Sequence, residues 1–145
     1  MFIYSVILRL NMSTVIKKFT IPFGLIFAFI GIIANLIAII YPWAFYDEKS
    51  VLAWRRMDIL ILIIISMSLV LEAIYLNYSK NINPIPLILA SGFIDITSLA
   101  YISMYYLKYS LGYFLTLIAS IIKGLSCLML IYKIGEIEIE IIKEE

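Results

Sequence analysis

Asp95 and Lys123 each sit near the middle of a long apolar stretch. A charge at the centre of a bilayer-length segment costs at least ~2.5–3.5 kcal/mol on insertion scales, so it normally has a partner or a task. The two are opposite in sign and equally far along the chain from Tyr109, the centre of a short connection. A tight helical hairpin brings such residues to one depth. The chemistry on offer is mutual neutralisation, which fixes how two helices register, or proton or ion transfer along a path through the membrane.

Other polar residues follow helical spacing around this pair. At about 100° per residue, Ser91, Asp95, Ser98 and Tyr105 fall on one stripe, and Thr116, Ser120, Lys123 and Cys127 on another. Face-to-face closure of the hairpin sets Asp95 against Lys123 with hydroxyls above and below. A third stripe, Ser68, Glu72, Tyr75 and Ser79, lies on a different segment. Glu72 stands about two turns from that segment's end, near enough to interfacial water to be solvated or to join a polar path with Ser91, Ser98, Thr116 and Ser120. Gly24, Ala28, Gly31, Asn35 and Ala38 form a small-residue face with one amide in it. Such faces let helix backbones approach closely in lipid, so this one is expected to be a packing seam, with Asn35 hydrogen-bonding across it.

Four segments of about 20 apolar residues must carry these stripes: about 19–41, 59–78, 84–107 and 111–132. Pro42 closes the first. Pro84 and Pro86 open the third, where a first helical turn tolerates them. Lys133 and Gly135 stop the last. Short connections make an all-α, four-helix transmembrane bundle in up-down-up-down order the predicted fold. Residues 1–18 are expected to be a cytoplasmic or interfacial segment. Met1–Leu10 is too short to span, and Met12 reads equally well as a start. In the longest connection, Pro42–Asp58, Trp43, Phe45, Tyr46 and Trp54 stand beside charged residues, the pattern of an interfacial aromatic belt. Within the tail, 134–145, Glu136, Glu138 and Glu140 alternate with isoleucines at period two, a strand pattern. One isolated strand is unstable, so a frayed tail or a helical extension is expected rather than a docking strand.

Composition agrees with the membrane reading. The chain is 64% hydrophobic with a mean hydropathy of +1.07, far above the ~45–50% apolar content of soluble domains. A net charge of +1 without a basic run gives no reason to expect nucleic acid. The absence of histidine argues against His-ligated haem, His-based zinc and His-dependent triads, and one cysteine cannot form an internal redox pair. No metal or cofactor is expected, and no catalytic set: the sequence is read as that of a non-enzyme.

Arg9, Lys17, Lys18, Lys80, Lys133 and Lys143 fall on one side of the predicted bundle, and Lys49, Arg55, Arg56 and Lys108 on the other. The bias places both termini in the cytoplasm of a cell membrane. The expected role is a structural or accessory subunit of a larger membrane complex. The alternative is a small oligomeric ion- or proton-coupled transporter that uses Asp95 and Lys123. Expected partners are the lipid bilayer and a larger complex or further copies of the chain.

Overall fold

Helix formation follows from the apolar runs, which carry few breakers between their ends. The computed structural model describes residues 14–144, with four helices: α1 (Phe23–Ile40), α2 (Met57–Lys80), α3 (Ile85–Tyr105) and α4 (Leu111–Ile131). All four are long and apolar enough to cross a membrane. At ~1.5 Å per residue they run about 27 to 36 Å, against a hydrocarbon core of about 30 Å. Each termination has a local cause. α2 stops at Asn81, which adopts a left-handed conformation (φ 52°) while the Ile82 amide bonds the Leu76 carbonyl. Asparagine tolerates that geometry better than most residues. α3 starts with prolines in its first turn, and α4 ends through Lys133 and Gly135, both at positive φ.

The most extensive helix contacts are α1 on α4, then α3 on α4 and α2 on α3; α1 and α2 touch far less, and the diagonal pairs least of all. Two apolar layers form the interior. One gathers Trp43 with Ala38, Ile59, Ile63, Leu99 and Ile102. The other gathers Leu25, Ala28, Ile32, Val70, Ala73 and Ile88 with Cys127. Large apolar residues also cover the outside, among them Phe29, Leu36, Ile61, Phe93, Phe114 and Ile121. A continuous apolar exterior of this kind marks a surface that is covered, by lipid or by protein.

Two small sheets sit at the helix ends. β1 (Thr14–Pro22) leads into α1. β2 (Ala44–Tyr46) and β3 (Lys49–Val51) form a hairpin in the α1–α2 connection, and β4 (Lys108–Tyr109) lies in the α3–α4 connection. β2 pairs with both β3 and β4, Ala44 opposite Tyr109, so these two connections lie side by side. The aromatic-belt expectation fails for Trp43. It is fully buried, and its Nε1 donates to the Ala38 carbonyl at 2.7 Å, satisfying a carbonyl in the last turn of α1.

The tail also departs from expectation. Residues Glu136–Glu144 form β5, which neither frays nor extends α4 but pairs antiparallel with β1 from Thr14↔Glu144 to Pro22↔Glu136. The strand pattern in the tail was therefore a pairing signal, and its partner is the β-branched run just before α1. That run takes Phe19–Pro22 out of the expected first span, which begins instead at Phe23. The expected short apolar start at Met1–Leu10 and the alternative start at Met12 lie outside the described residues.

Candidate functional site

Each helix contributes one polar side chain to a single buried cluster between the two apolar layers: Asn35 from α1, Ser66 from α2, Asp95 from α3 and Lys123 from α4. All four have no exposed surface. Lys123 Nζ lies 2.6 Å from Asp95 Oδ2, and the hairpin brings the two charges together at one depth. The same ammonium donates to Asn35 Oδ1 at 2.6 Å and to Ser66 Oγ at 2.8 Å. A lysine has three N–H donors, and these three contacts use them all.

Asp95 is equally well served. Its Oδ1 accepts from Ser66 Oγ at 2.6 Å and from Asn35 Nδ2 at 3.2 Å, while Oδ2 takes the lysine. The cluster closes on itself, because Asn35 and Ser66 each give to the carboxylate and accept from the ammonium. Ser91 extends it: its Oγ donates to the Ser66 carbonyl at 2.7 Å and lies 2.8 Å from Ser66 Oγ. Desolvating two charges is offset only where geometry is good and the remaining lone pairs and protons are satisfied, and here they are.

Small residues make room for this arrangement. Gly24, Ala28, Gly31, Asn35 and Ala38 are all buried along α1. A Cβ at Gly31 would stand 3.1 Å from Lys123 Cγ, so the missing side chain leaves the path along which the lysine stem runs. At Gly24 a Cβ would meet Leu130 at 2.5 Å, and Ser126 Oγ donates to the Gly24 carbonyl, tying α4 to α1 below the cluster.

The other predicted polar residues divide. Ser98 is buried but its hydroxyl turns to the Asp95 carbonyl at 2.7 Å, and Ser120 reaches the Gly92 carbonyl at 3.3 Å. Thr116 is buried with no hydrogen-bond partner for its hydroxyl. Glu72 stands apart: it is exposed, on the outer side of α2, and does not join Ser91, Ser98, Thr116 and Ser120. Its stripe companions Ser68 and Ser79 are exposed too and donate to the carbonyls of Ile64 and Tyr75, one turn back. Tyr105 is likewise exposed. The residue that sequence reasoning missed is Ser66. Its signal was the spacing Ile59, Ile63, Ser66, Val70, Ala73, an alternation of three and four that is the buried face of α2.

A second polar assembly lies where α2 begins and α3 ends. Arg56 forks onto Asp58, with Nε and Nη2 at 3.2 and 2.9 Å from the two carboxylate oxygens, and its Nη1 donates to the Tyr106 hydroxyl at 2.7 Å. The guanidinium also stands 5.6–5.8 Å from the ring centres of Tyr101, Tyr105 and Tyr106. The hydrogen bond to Asp58 is the main cause that raises the arginine's pKa above its ordinary value. This assembly pins the start of one helix to the end of another.

Among the described residues, no group of three or more His, Cys, Asp or Glu side chains converges on a point where a metal would bind. No protein-family model, no curated protein and no solved structure matches the chain.

Proposed function

We propose that this chain is a four-span integral membrane protein in up-down-up-down order, and that it serves as a structural or accessory subunit of a membrane assembly. The observation that carries this reading is the closed four-residue cluster. A transport site must offer free coordination to its cargo, whereas all three Lys123 donors and both Asp95 oxygens are engaged within the bundle. Such a cluster acts as a register lock, because any other packing strands a charge in hydrocarbon.

The apolar exterior supports insertion, and the helix lengths match a bilayer. The end bearing β1 and β5 faces the cytoplasm of the cell membrane in this reading, with Lys17, Lys18, Lys80 and Lys133 near it. We assign no catalytic role and no cofactor. Purification in mild detergent tests the accessory role: a stoichiometric larger partner that co-migrates supports it, and a chain that runs alone or only with copies of itself refutes it.

One observation favours a second reading. The Thr116 hydroxyl is buried on the same helix as Lys123 with no partner among the described residues, a polar group that packing of the bundle alone leaves unsatisfied. A small ion- or proton-coupled transporter would use it with Asp95 and Lys123. Proton flux into liposomes that is present in the wild type, above that of protein-free liposomes, and lost in the folded double variant Asp95→Asn with Lys123→Met would favour transport over the structural role.

A further inference from the structure

A cleft of about 560 Å³ opens beside the β2–β3 hairpin, between its tip and the end of α3. Its walls include Phe45, Tyr46, Tyr105 and Tyr106, and the turn residues Asp47 and Glu48 close one side. The volume falls within the ~300–1,000 Å³ usual for small-molecule sites. Tyr46 and Tyr106 meet edge to face, with ring centres 6.3 Å apart, while Tyr46 and Tyr105 remain more than half exposed.

The charges around this cleft are unevenly used. Arg56, behind the tyrosines, is neutralised by the forked bond to Asp58. Neither Asp47 nor Glu48 has a hydrogen bond or ion pair among the described residues. Lys108 also lines the cleft, opposite Phe45 in the sheet, but pairs with neither carboxylate. The cleft lining thus carries two carboxylates and one ammonium, with Lys49 next to the turn outside the lining, beside rings whose faces carry negative potential. Cations are attracted to such faces, and aromatic walls with carboxylates nearby suit an ammonium that carries apolar substituents. The Arg56 guanidinium, set among Tyr101, Tyr105 and Tyr106, is an internal instance of the same attraction.

We propose that this cleft binds an organic cation of the quaternary or alkylated ammonium class, held by the exposed Tyr46 ring and the charges of Asp47 and Glu48, with Tyr105 and Tyr106, which already carry Arg56, as its aromatic wall. A soluble amine and the choline headgroup of a lipid share this chemistry. The inference is independent of the role assigned to the buried cluster.

The test is a titration of the full chain in maltoside micelles with choline, read by NMR shifts or tyrosine fluorescence, alongside its uncharged carbon isostere 3,3-dimethylbutan-1-ol. Saturable choline binding with a Kd on the order of 1 mM is expected for a ligand of this size, with little binding of the isostere. Tyr46→Leu should weaken binding by roughly 5-fold or more, the equivalent of one cation–π contact. Asp47→Asn with Glu48→Gln should weaken it similarly and flatten its salt dependence. Glu72→Gln, a carboxylate remote from the cleft, should leave it unchanged. Because all these side chains are on the surface, unaltered thermal unfolding of the variants shows that the fold is kept. Absence of saturation, equal binding of the isostere, or folded Tyr46 and Asp47/Glu48 variants that bind as the wild type does would each overturn the proposal. Doping the micelles with phosphatidylcholine names the source: competition assigns the lipid headgroup, and unchanged affinity assigns a soluble amine.

Discussion

Replacing Lys123 with methionine keeps most of the stem volume and removes only the ammonium, so the cost reports on charge rather than on a cavity. The carboxylate left behind is fully buried and retains two neutral donors, Ser66 Oγ and Asn35 Nδ2. Breaking a buried pair from one side typically costs about 3–5 kcal/mol. Unfolded helices in a micelle still find partners for their polar groups, which places the expected loss near the lower end, about 3 kcal/mol. Against a total of about 5–15 kcal/mol, that is enough to reduce the folded yield sharply. Asp95→Asn should cost a similar amount, because it strands Lys123 instead.

The double variant, Asp95→Asn with Lys123→Met, decides the matter. With both charges gone, the side-chain amide introduced on α3 can still accept from Ser66 and Asn35 at the same place. The double variant should therefore be more stable than either single one, with a coupling of about 3 kcal/mol between the sites. Unfolding in mixed micelles by a graded harsh detergent, followed by tryptophan fluorescence, in which buried Trp43 changes environment and Trp54 is already exposed, measures all four proteins. If the losses simply add, the two charges do not depend on each other and the register-lock argument fails.

Three further outcomes are expected. Ser66→Ala should lose roughly 1–2 kcal/mol because it cuts one bond to each charge, whereas Ser68→Ala, whose hydroxyl only bonds its own helix, should unfold like the wild type in the same assay. Gly112→Ala should destabilise by about 1–3 kcal/mol, since its Cβ would run into the Trp43 ring; Gly124→Ala meets nothing within 4 Å and should be neutral or slightly stabilising, and reversed ranks would contradict the packing. Truncation after Gly135 should abolish hydrogen-exchange protection of the β1 amides while leaving the core of α3 and α4 protected; retained protection in β1 would show that it does not depend on β5.

The four helices were legible because a bilayer-length apolar run has few alternatives, and the Asp95–Lys123 contact because two isolated charges at one depth leave almost no other solution. Asn35 was visible as the one amide in a stripe of small residues. Ser66 was not, since serine satisfies itself inside any helix by bonding one turn back, as Ser68 and Ser103 do and as Thr97 does with its own hydroxyl. Aligning the polar residues of α2 therefore selected its exposed side, Glu72 included, and the buried face showed only in the spacing of Ile59, Ile63, Val70 and Ala73. Burial of Trp43 escaped for a related reason: tryptophan at a helix end reads as interfacial until a helix carbonyl claims its N–H. Pairing of the tail was hidden by distance along the chain, because alternation predicts a strand without naming the strand it joins.

In a chain inserted as proposed above, the shared cluster would also order events during synthesis. Asn35 and Ser66 leave the ribosome first, carrying polar groups that a helix in lipid tolerates cheaply. Asp95 follows, and its counter-charge lies 28 residues further on, a separation the next short turn folds back upon itself. Entry of α3 alone would bring an unneutralised carboxylate into hydrocarbon, whereas entry of α3 and α4 as one hairpin delivers both charges already matched. The amide and hydroxyl in the first two helices would then receive the hairpin at one depth, so that the last helix to be made completes the contact.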